Sequence, residues 1–182
     1  MAFIGQGAWT LGTESSCQTG IVSQSVTGIP VTATQIRFNF YNISSTAAAY
    51  FYFRLGTSAG EVTSGYKAHS GYHYFSASDS TSSYFTDRIG LTSTNWDAAS
   101  YKWTGYVDVM KLNDDGTTQV WGIEMYTNDQ DANYGSSHRI QYFGRGFCEL
   151  ASNAHLDRVS IHSDGTSNGQ FDSGRMRVDY LV

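Results

Sequence analysis

Residues 105–127 read GYVDVMKLNDDGTTQVWGIEMYT, two alternating stretches joined at a turn. On both sides of the centre, apolar and polar side chains alternate with the two-residue period of a half-buried β-strand. The central Asp114-Asp115-Gly116 is a strong turn signal, because Asp-Gly accepts the left-handed backbone conformation of a hairpin turn. The stretch therefore predicts an antiparallel β-hairpin.

The same alternation recurs in two other parts of the chain. Residues 35–43 and 49–55 each place Phe side chains on one face, and their short connection predicts a second hairpin. Residues 155–163 and 175–182 predict a last pair of strands near the C-terminus. The Gly-Arg-Gly sequence at residues 144–146 is interpreted as a bend or bulge between strand segments.

Strand signals extend over the whole chain of 182 residues, the size of one ordinary domain. The 19 Gly and the abundant Ser and Thr are typical of many tight turns. Strands with one apolar face pack as two stacked sheets. We therefore expect an all-β fold, a single antiparallel β-sandwich domain of the jelly-roll or lectin-like type over residues 1–182. Residues 1–30 are expected to form an extended N-terminal arm.

Composition and charge exclude several classes of protein. Charged residues make up 15% of the chain, against about 25% in a typical soluble domain, which excludes a coiled coil. Aromatic residues, also 15%, supply enough apolar surface to exclude disorder. The net charge of −5 gives no cationic field for a phosphate backbone, so no nucleic acid partner is expected. No secretory signal and no membrane-spanning stretch is recognised, which predicts a soluble chain made in a cytoplasm with no membrane partner.

Cysteine and histidine spacings predict no metal site and no cofactor. Cys17 and Cys148 lie far apart, and in a reducing cytoplasm two free thiols are expected, with a disulfide as the alternative. The histidines fall at no zinc-binding spacing. Residues 128–133 carry oxygen ligands but lack the ordered spacing of a helix-loop-helix calcium site, so a loop is the preferred interpretation.

The sequence offers few candidate catalytic residues. It contains no Gly-x-Ser-x-Gly nucleophile turn. Glu124 lies within a predicted strand beside Trp121 and Tyr126, as the catalytic acids of sandwich glycosidases do. Because no second carboxylate stands at a recognisable spacing, no catalytic residue is assigned and the chain is not expected to be an enzyme.

Two sets of aromatic residues are candidate binding surfaces. Tyr72, His73 and Tyr74 cluster ring side chains as a sugar-binding surface would, although alternating strand core and strand surface explains the same pattern. A second set lies on the apparent outer faces of strands: Tyr41, Tyr50 and Tyr52. Because a small monomer rarely leaves such rings in water, we expect a homo-oligomer, with a trimer favoured.

Near the C-terminus, residues 156–161 (LDRVSI) and 168–181 (NGQFDSGRMRVDYL) resemble the closing strands of a group of small tailed-phage virion proteins. The shared pattern is a strand of the form Phe-x-x-Gly-x-[Ile/Met]-Arg-[Leu/Val]-x-Tyr. The upstream order of QIRFNFYNI, FYFRLG and then Gly65-Tyr66 is also similar to the group's. The chain departs from the group in having Asp179 before the final tyrosine.

The resemblance implies a β-sandwich of the kind found as capsid decorations and as modules of tail and fibre proteins. It implies assembly with other virion proteins, no catalytic residue and no cofactor, and location in the virion after synthesis in the host cytoplasm. Arg175 and Arg177 would then present charge to solvent or to a partner. Three functions stay open: a phage virion structural protein decorating the capsid or tail, a tail-fibre module that binds a receptor or a host surface glycan, and a sandwich glycosidase.

Overall fold

A computed structural model describes residues 8–47, 49–74, 80–92, 101–129, 140–151, 154–164 and 169–182. These residues form fourteen strands and no helix. Among them there is therefore no helix that could cross a membrane. The strands are β1 (Trp9–Thr10), β2 (Ser15–Ser16), β3 (Ser23–Thr27), β4 (Gln35–Ser45), β5 (Tyr50–Thr57), β6 (Gly60–Glu61), β7 (Tyr66–Tyr74), β8 (Ser80–Phe85), β9 (Ile89–Gly90), β10 (Trp103–Asp114), β11 (Gln119–Asp129), β12 (Ile140–Leu150), β13 (Arg158–Asp164) and β14 (Phe171–Leu181).

The strands form two antiparallel sheets. The larger sheet has the order β1-β14-β4-β10-β11-β12-β7-β8, and β2 also pairs with β14. The smaller sheet has the order β3-β13-β5-β6, and β9 also pairs with β5. The expected all-β fold, a single domain of two antiparallel sheets, is confirmed.

The hydrophobic core lies between the two sheets. Alternate residues of β4 and β5 are buried, and the ring of Phe38 on β4 lies 5.5 Å from the ring of Phe53 on β5. Phe51 of β5 stacks on Phe171 of β14 with centroids 5.6 Å apart. Since β5 belongs to the smaller sheet and its ring partners to the larger one, the two sheets pack face to face.

The hairpin predicted for residues 105–127 is confirmed. β10 and β11 pair antiparallel along their length, with one shift of register between Lys111 and Asn113, and Gly116 takes the left-handed backbone conformation, with φ of 82°. Asp115 closes the turn, because its Oδ1 accepts hydrogen bonds from the backbone N–H of Thr117 (2.9 Å) and of Thr118 (2.8 Å).

The hairpin predicted for residues 35–55 is wrong. β4 pairs with β10 and β14 in the larger sheet, whereas β5 pairs with β13, β6 and β9 in the smaller one. The chain between Ser45 and Tyr50 therefore crosses from one sheet to the other. Alternation reports which face of a strand is buried, but not which strand lies beside it. For the same reason β13 and β14, the predicted last pair, lie in different sheets.

The bend predicted at residues 144–146 is also wrong. β12 runs unbroken over Ile140–Leu150, in continuous register with β11 and β7. Gly146 is needed because the strands approach closely: a Cβ there would lie 2.5 Å from the Cα of Ala68 on β7. The unbroken strand carries Phe143 and Arg145 into the middle of the larger sheet.

The N-terminal segment adds short strands to both sheets. β1 and β2 pair with β14, and β3 pairs with β13. Residues 8–30 of the expected arm thus lie along the sheet edges. Cys17 and Cys148 are buried and unpaired, which confirms the expected free thiols. Burial raises the pKa of Cys17 to about 11 and that of Cys148 to about 12.

Candidate functional site

The face of the larger sheet that points away from the smaller sheet is called the outer face. Cross-strand register aligns its side chains in rows. The aromatic row holds Tyr106, Tyr126 and Phe143, on β10, β11 and β12. The charged row beside it crosses β14, β4, β10, β11, β12 and β7, and consists of Asp179, Arg37, Asp108, Glu124, Arg145 and His69.

Large apolar side chains are concentrated on this outer face. It carries most of those that are exposed among the described residues: Trp9, Tyr41, Tyr84, Tyr106, Met110, Leu112 and Phe143. Phe143 is 50% exposed and Tyr41 is 44% exposed. Clustered exposed apolar residues mark a surface that other molecules contact.

Ion pairs fix the charged side chains in the part of the outer face formed by β1, β14, β4 and β10, which we call the anchored half. Arg37 donates two hydrogen bonds of 2.6 Å to Asp108, the bidentate geometry of strong guanidinium–carboxylate pairs. The guanidinium also lies 4.8 Å from the ring centroid of Tyr106. On β14, Nε of Arg177 lies 2.8 Å from Oδ1 of Asp179.

A pocket of about 380 Å³ opens in the anchored half. Its lining includes Tyr41, Arg175 and Arg177, three of the five residues predicted as an assembly surface. The guanidinium of Arg175 lies 5.5 Å from the ring centroid of Tyr41 and 3.1 Å from Oε1 of Glu14. Gly105 also lines the pocket, and it has to be glycine because a Cβ there would collide with the backbone of β11.

In the part of the outer face formed by β11 and β12, the charged side chains have no ion-pair partners among the described residues. We call this part the open half. Glu124 and Arg145 are exposed and directly opposite each other. Neither makes an ion pair or a side-chain hydrogen bond within the described part of the chain, and Phe143 makes no ring contact there. Tyr126 borders the site, and its ring stacks on that of Tyr106 with centroids 6.0 Å apart.

The other two predicted assembly residues, Tyr50 and Tyr52, lie on β5 in the smaller sheet. Both are half-buried. Tyr52 stacks on His162 with ring centroids 4.6 Å apart, and the guanidinium carbon of Arg88 lies 4.6 Å from the centroid of the Tyr52 ring. Burial lowers the pKa of His162, although Oε1 of Glu61 lies 2.9 Å from its Nε2. The five predicted assembly residues thus occupy two separate regions.

The predicted sugar-contact residues on β7 do not share one surface. The ring of Tyr72 is half-buried and packs on Tyr142, with centroids 5.6 Å apart. His73 is exposed and lies opposite Gln141 of β12 on the outer face. Neighbouring residues of a strand point to opposite faces, so the sheet separates these two rings. The side chain of Tyr74 lies outside the described residues.

Glu124, the candidate glycosidase acid, lies on an open sheet face. The carboxylate directly opposite it on β10 is Asp108, which is already engaged by Arg37. A glycosidase uses its second carboxyl group as a free nucleophile or base. Within the described ranges, no three His, Cys, Asp or Glu side chains come together as metal ligands.

Sequence reasoning misses Phe143 and Arg145 because it interprets residues 144–146 as a bend. The alternation of residues 141, 143 and 145 with the buried Tyr142 is the signal that could find them. Comparison with known proteins identifies no family: no protein-family model and no curated protein matches the chain.

Proposed function

We propose that the chain is a non-enzymatic structural subunit of a phage particle that decorates its capsid or tail, as the C-terminal resemblance implies. The observation that carries the proposal is the pocket of the anchored half, where Tyr41, Arg175 and Arg177 come together. Tyrosine and arginine, with tryptophan, are the residues that most often dominate binding energy at protein interfaces. We therefore infer that another virion protein contacts this half.

The anchored half supports docking because its charged side chains are already ordered. Arg37 and Arg175 are each held by a carboxylate partner. An arginine that is already fixed loses little rotamer entropy on binding, so the partner binds at a smaller entropic cost. Trp9 and Met110, which are 40% and 50% exposed, add apolar area to the same half.

The proposal includes self-association, with a trimer favoured, and location in the virion after synthesis in the host cytoplasm. A ring of subunits needs two different contact surfaces on each copy. The region of Tyr50 and Tyr52 on the smaller sheet would supply one of them, and it leaves the pocket around Tyr41 free for the other virion protein. We further assign the sandwich to the jelly-roll or lectin-like type, which the crossings between sheets from β4 to β5 and from β13 to β14 support.

Co-sedimentation with phage heads and with tails that lack this chain tests the proposal. We expect saturable binding of the wild-type chain. The double variant Tyr41→Ala, Arg175→Ala should bind about tenfold more weakly or worse, since it removes two interface anchors.

The matched control is Tyr84→Ala, which removes a similarly exposed tyrosine at the opposite edge of the outer face. It should bind as the wild type does. Failure of the wild-type chain to bind either heads or tails would contradict the proposal, and so would unchanged binding of the double variant.

A further inference from the structure

We propose that the open half of the outer face is a binding site for a neutral carbohydrate chain. The ring of Phe143 stacks on the apolar face of a sugar, and Glu124 and Arg145 bind its hydroxyl groups. This site differs from the sugar-contact residues predicted on β7. It also goes beyond the proposed function, because it does not depend on where the chain sits on a particle.

Phe143 supplies the apolar surface of the site. It stands at the end of the aromatic row, and half of its side chain is exposed. Across the sheet it lies opposite Tyr126 of β11 on one side and Gly71 of β7 on the other. The C–H groups on one face of a sugar are weakly positive, and the face of an aromatic ring is negative. A sugar therefore covers this ring more favourably than water does.

Glu124 and Arg145 supply the polar contacts. A carboxylate offers about four acceptor sites and a guanidinium about five donors. Within the described residues no other side chain uses them. Hydroxyl groups both donate and accept hydrogen bonds, so neighbouring hydroxyls of one sugar can be bound by one acidic and one basic side chain. Both side chains are exposed, so binding buries no isolated charge.

The charge balance of the site selects a neutral ligand. The opposite charges of Glu124 and Arg145 lie on adjacent strands and offset each other. The next charge along the row, Asp108, is neutralised by Arg37. An anionic polymer would be attracted by Arg145 but repelled by Glu124, and a cationic one the reverse, so neither gains net electrostatic attraction. A neutral polyhydroxylated chain meets neither penalty.

The site is ordered before a ligand arrives. Its residues lie on strands whose pairing is unbroken, and the hydroxyl of Tyr126 accepts a hydrogen bond from Gln141. Beyond Arg145 the charged row continues to His69, whose ring centroid lies 4.9 Å from that of Tyr84 on β8. Together with β7 and β8, on which His69 and Tyr84 lie, the open half spans three strand spacings, about 14 Å. This length suits an oligosaccharide better than a single sugar.

An array of neutral oligosaccharides, probed with the full wild-type chain, tests the inference, and calorimetric titration then measures Kd for the strongest hit. Phe143→Ala should weaken binding about tenfold or more. Phe143→Trp should retain binding, because it keeps an aromatic face. Glu124→Gln should weaken binding about threefold or more, because it loses a charged acceptor.

Tyr41→Ala is the matched control, since it removes a similarly exposed ring from the anchored half of the same face. Its Kd should stay within about twofold of wild type, as expected for a distant site. No binding of the wild type to any neutral glycan would overturn the inference, and so would equal losses in Tyr41→Ala and Phe143→Ala.

Two further measurements distinguish loss of the glycan site from loss of folding and from loss of particle binding. If thermal unfolding shows that Phe143→Ala is not folded, Phe143→Leu replaces it, because leucine keeps apolar bulk without a ring. Co-sedimentation separates this site from the proposed function: Phe143→Ala should still bind particles, whereas the Tyr41→Ala, Arg175→Ala variant should still bind the glycan. A Phe143→Ala variant that loses particles but keeps the glycan would overturn the inference.

Discussion

Replacing Asp179 with alanine should destabilise the fold, because this buried carboxylate connects three segments of the chain. Its side chain is 6% exposed. Oδ1 accepts a hydrogen bond from the backbone N–H of Gly12 (3.1 Å), and Oδ2 accepts one from Nδ2 of Asn39 (2.9 Å). Arg177 contacts both oxygens, through Nε at 2.8 Å and Nη2 at 3.0 Å. The N-terminal segment, β4 and β14 therefore meet at one side chain.

The variant Asp179→Ala removes all of these acceptors at once. The N–H of Gly12 and the amide of Asn39 are in part-buried hydrogen bonds, and each donor left without an acceptor costs about 1–3 kcal/mol. Arg177 has a side chain that is 37% exposed, so it can turn to water and adds little. Two such donors sum to about 2–6 kcal/mol, and because both hydrogen bonds are only part-buried, the unfolding free energy should fall by the lower part of that range, about 2–4 kcal/mol.

The matched control is Asp108→Ala, which removes the other carboxylate beside Arg37 in the charged row. This ion pair lies at the surface, with Arg37 and Asp108 side chains that are 43% and 20% exposed. Water can solvate Arg37 when its partner is removed. Exposed pairs contribute about 0–1 kcal/mol, so the control should lose much less stability than Asp179→Ala.

Urea unfolding followed by tryptophan fluorescence measures both variants, because Trp103 and Trp121 are buried and report the opening of the core. The dependence of the unfolding free energy on urea concentration should stay unchanged. A loss below about 1 kcal/mol for Asp179→Ala, or one no larger than that of the control, would refute the structural role of this carboxylate.

Burial should also control thiol reactivity and the pH dependence of stability. Since the pKa values of Cys17 and Cys148 are raised to about 11 and about 12, both thiols should react slowly with Ellman's reagent in the native protein and rapidly in urea; a fast native thiol would contradict this. Burial lowers the pKa of His162 despite the opposing effect of Glu61, so the unfolded chain binds more protons below about pH 6.5. Stability should thus be full above that pH and decrease as the pH falls, and His162→Gln should flatten the decrease; an unchanged slope would count against this assignment.

The sequence predicts the buried faces of strands better than their neighbours. Residues 105–127 contain both strands and the turn that pairs them, so a local pattern is enough to predict the hairpin. β4 and β5 have the same clear alternation, but the packing of two sheets across the core decides their partners. The contact between Phe38 and Phe53 is a contact across the core, and no local pattern distinguishes it from a contact between adjacent strands.

The candidate site could be predicted only in part, for a related reason. Tyr41, Arg175 and Arg177 are recognisable as outward-facing residues of alternating strands, and they do lie around one pocket. The row of Glu124 and Arg145 runs across the sheet, perpendicular to the chain. Its members become neighbours only through the register of β11 and β12, which forms when distant parts of the chain pair.

The order of charges in the charged row connects stability with the proposed carbohydrate site. Glu124 lies between Asp108 on one side and Arg145 on the other. Like charges directly opposite each other destabilise a sheet, so Glu124 and Asp108 form an unfavourable pair. The bidentate bond from Arg37 neutralises Asp108. We infer that this bond weakens the repulsion between Asp108 and Glu124, so that Glu124 can stand on the sheet without an ion-pair partner and bind a ligand.

A double-mutant cycle of Arg37→Gln and Glu124→Gln tests whether Arg37 offsets the repulsion between Asp108 and Glu124. In the wild-type background, Glu124→Gln should change stability little, because Arg37 already offsets the charge of Asp108. In the Arg37→Gln background, the same substitution relieves an unscreened repulsion and should stabilise the fold by about 0.2–1 kcal/mol more. Urea unfolding at low salt measures the coupling, and about 1 M NaCl should remove it because the charges are screened. Purely additive effects at low salt would show that Arg37 does not offset the repulsion between Asp108 and Glu124. The two halves of the outer face would then be energetically independent.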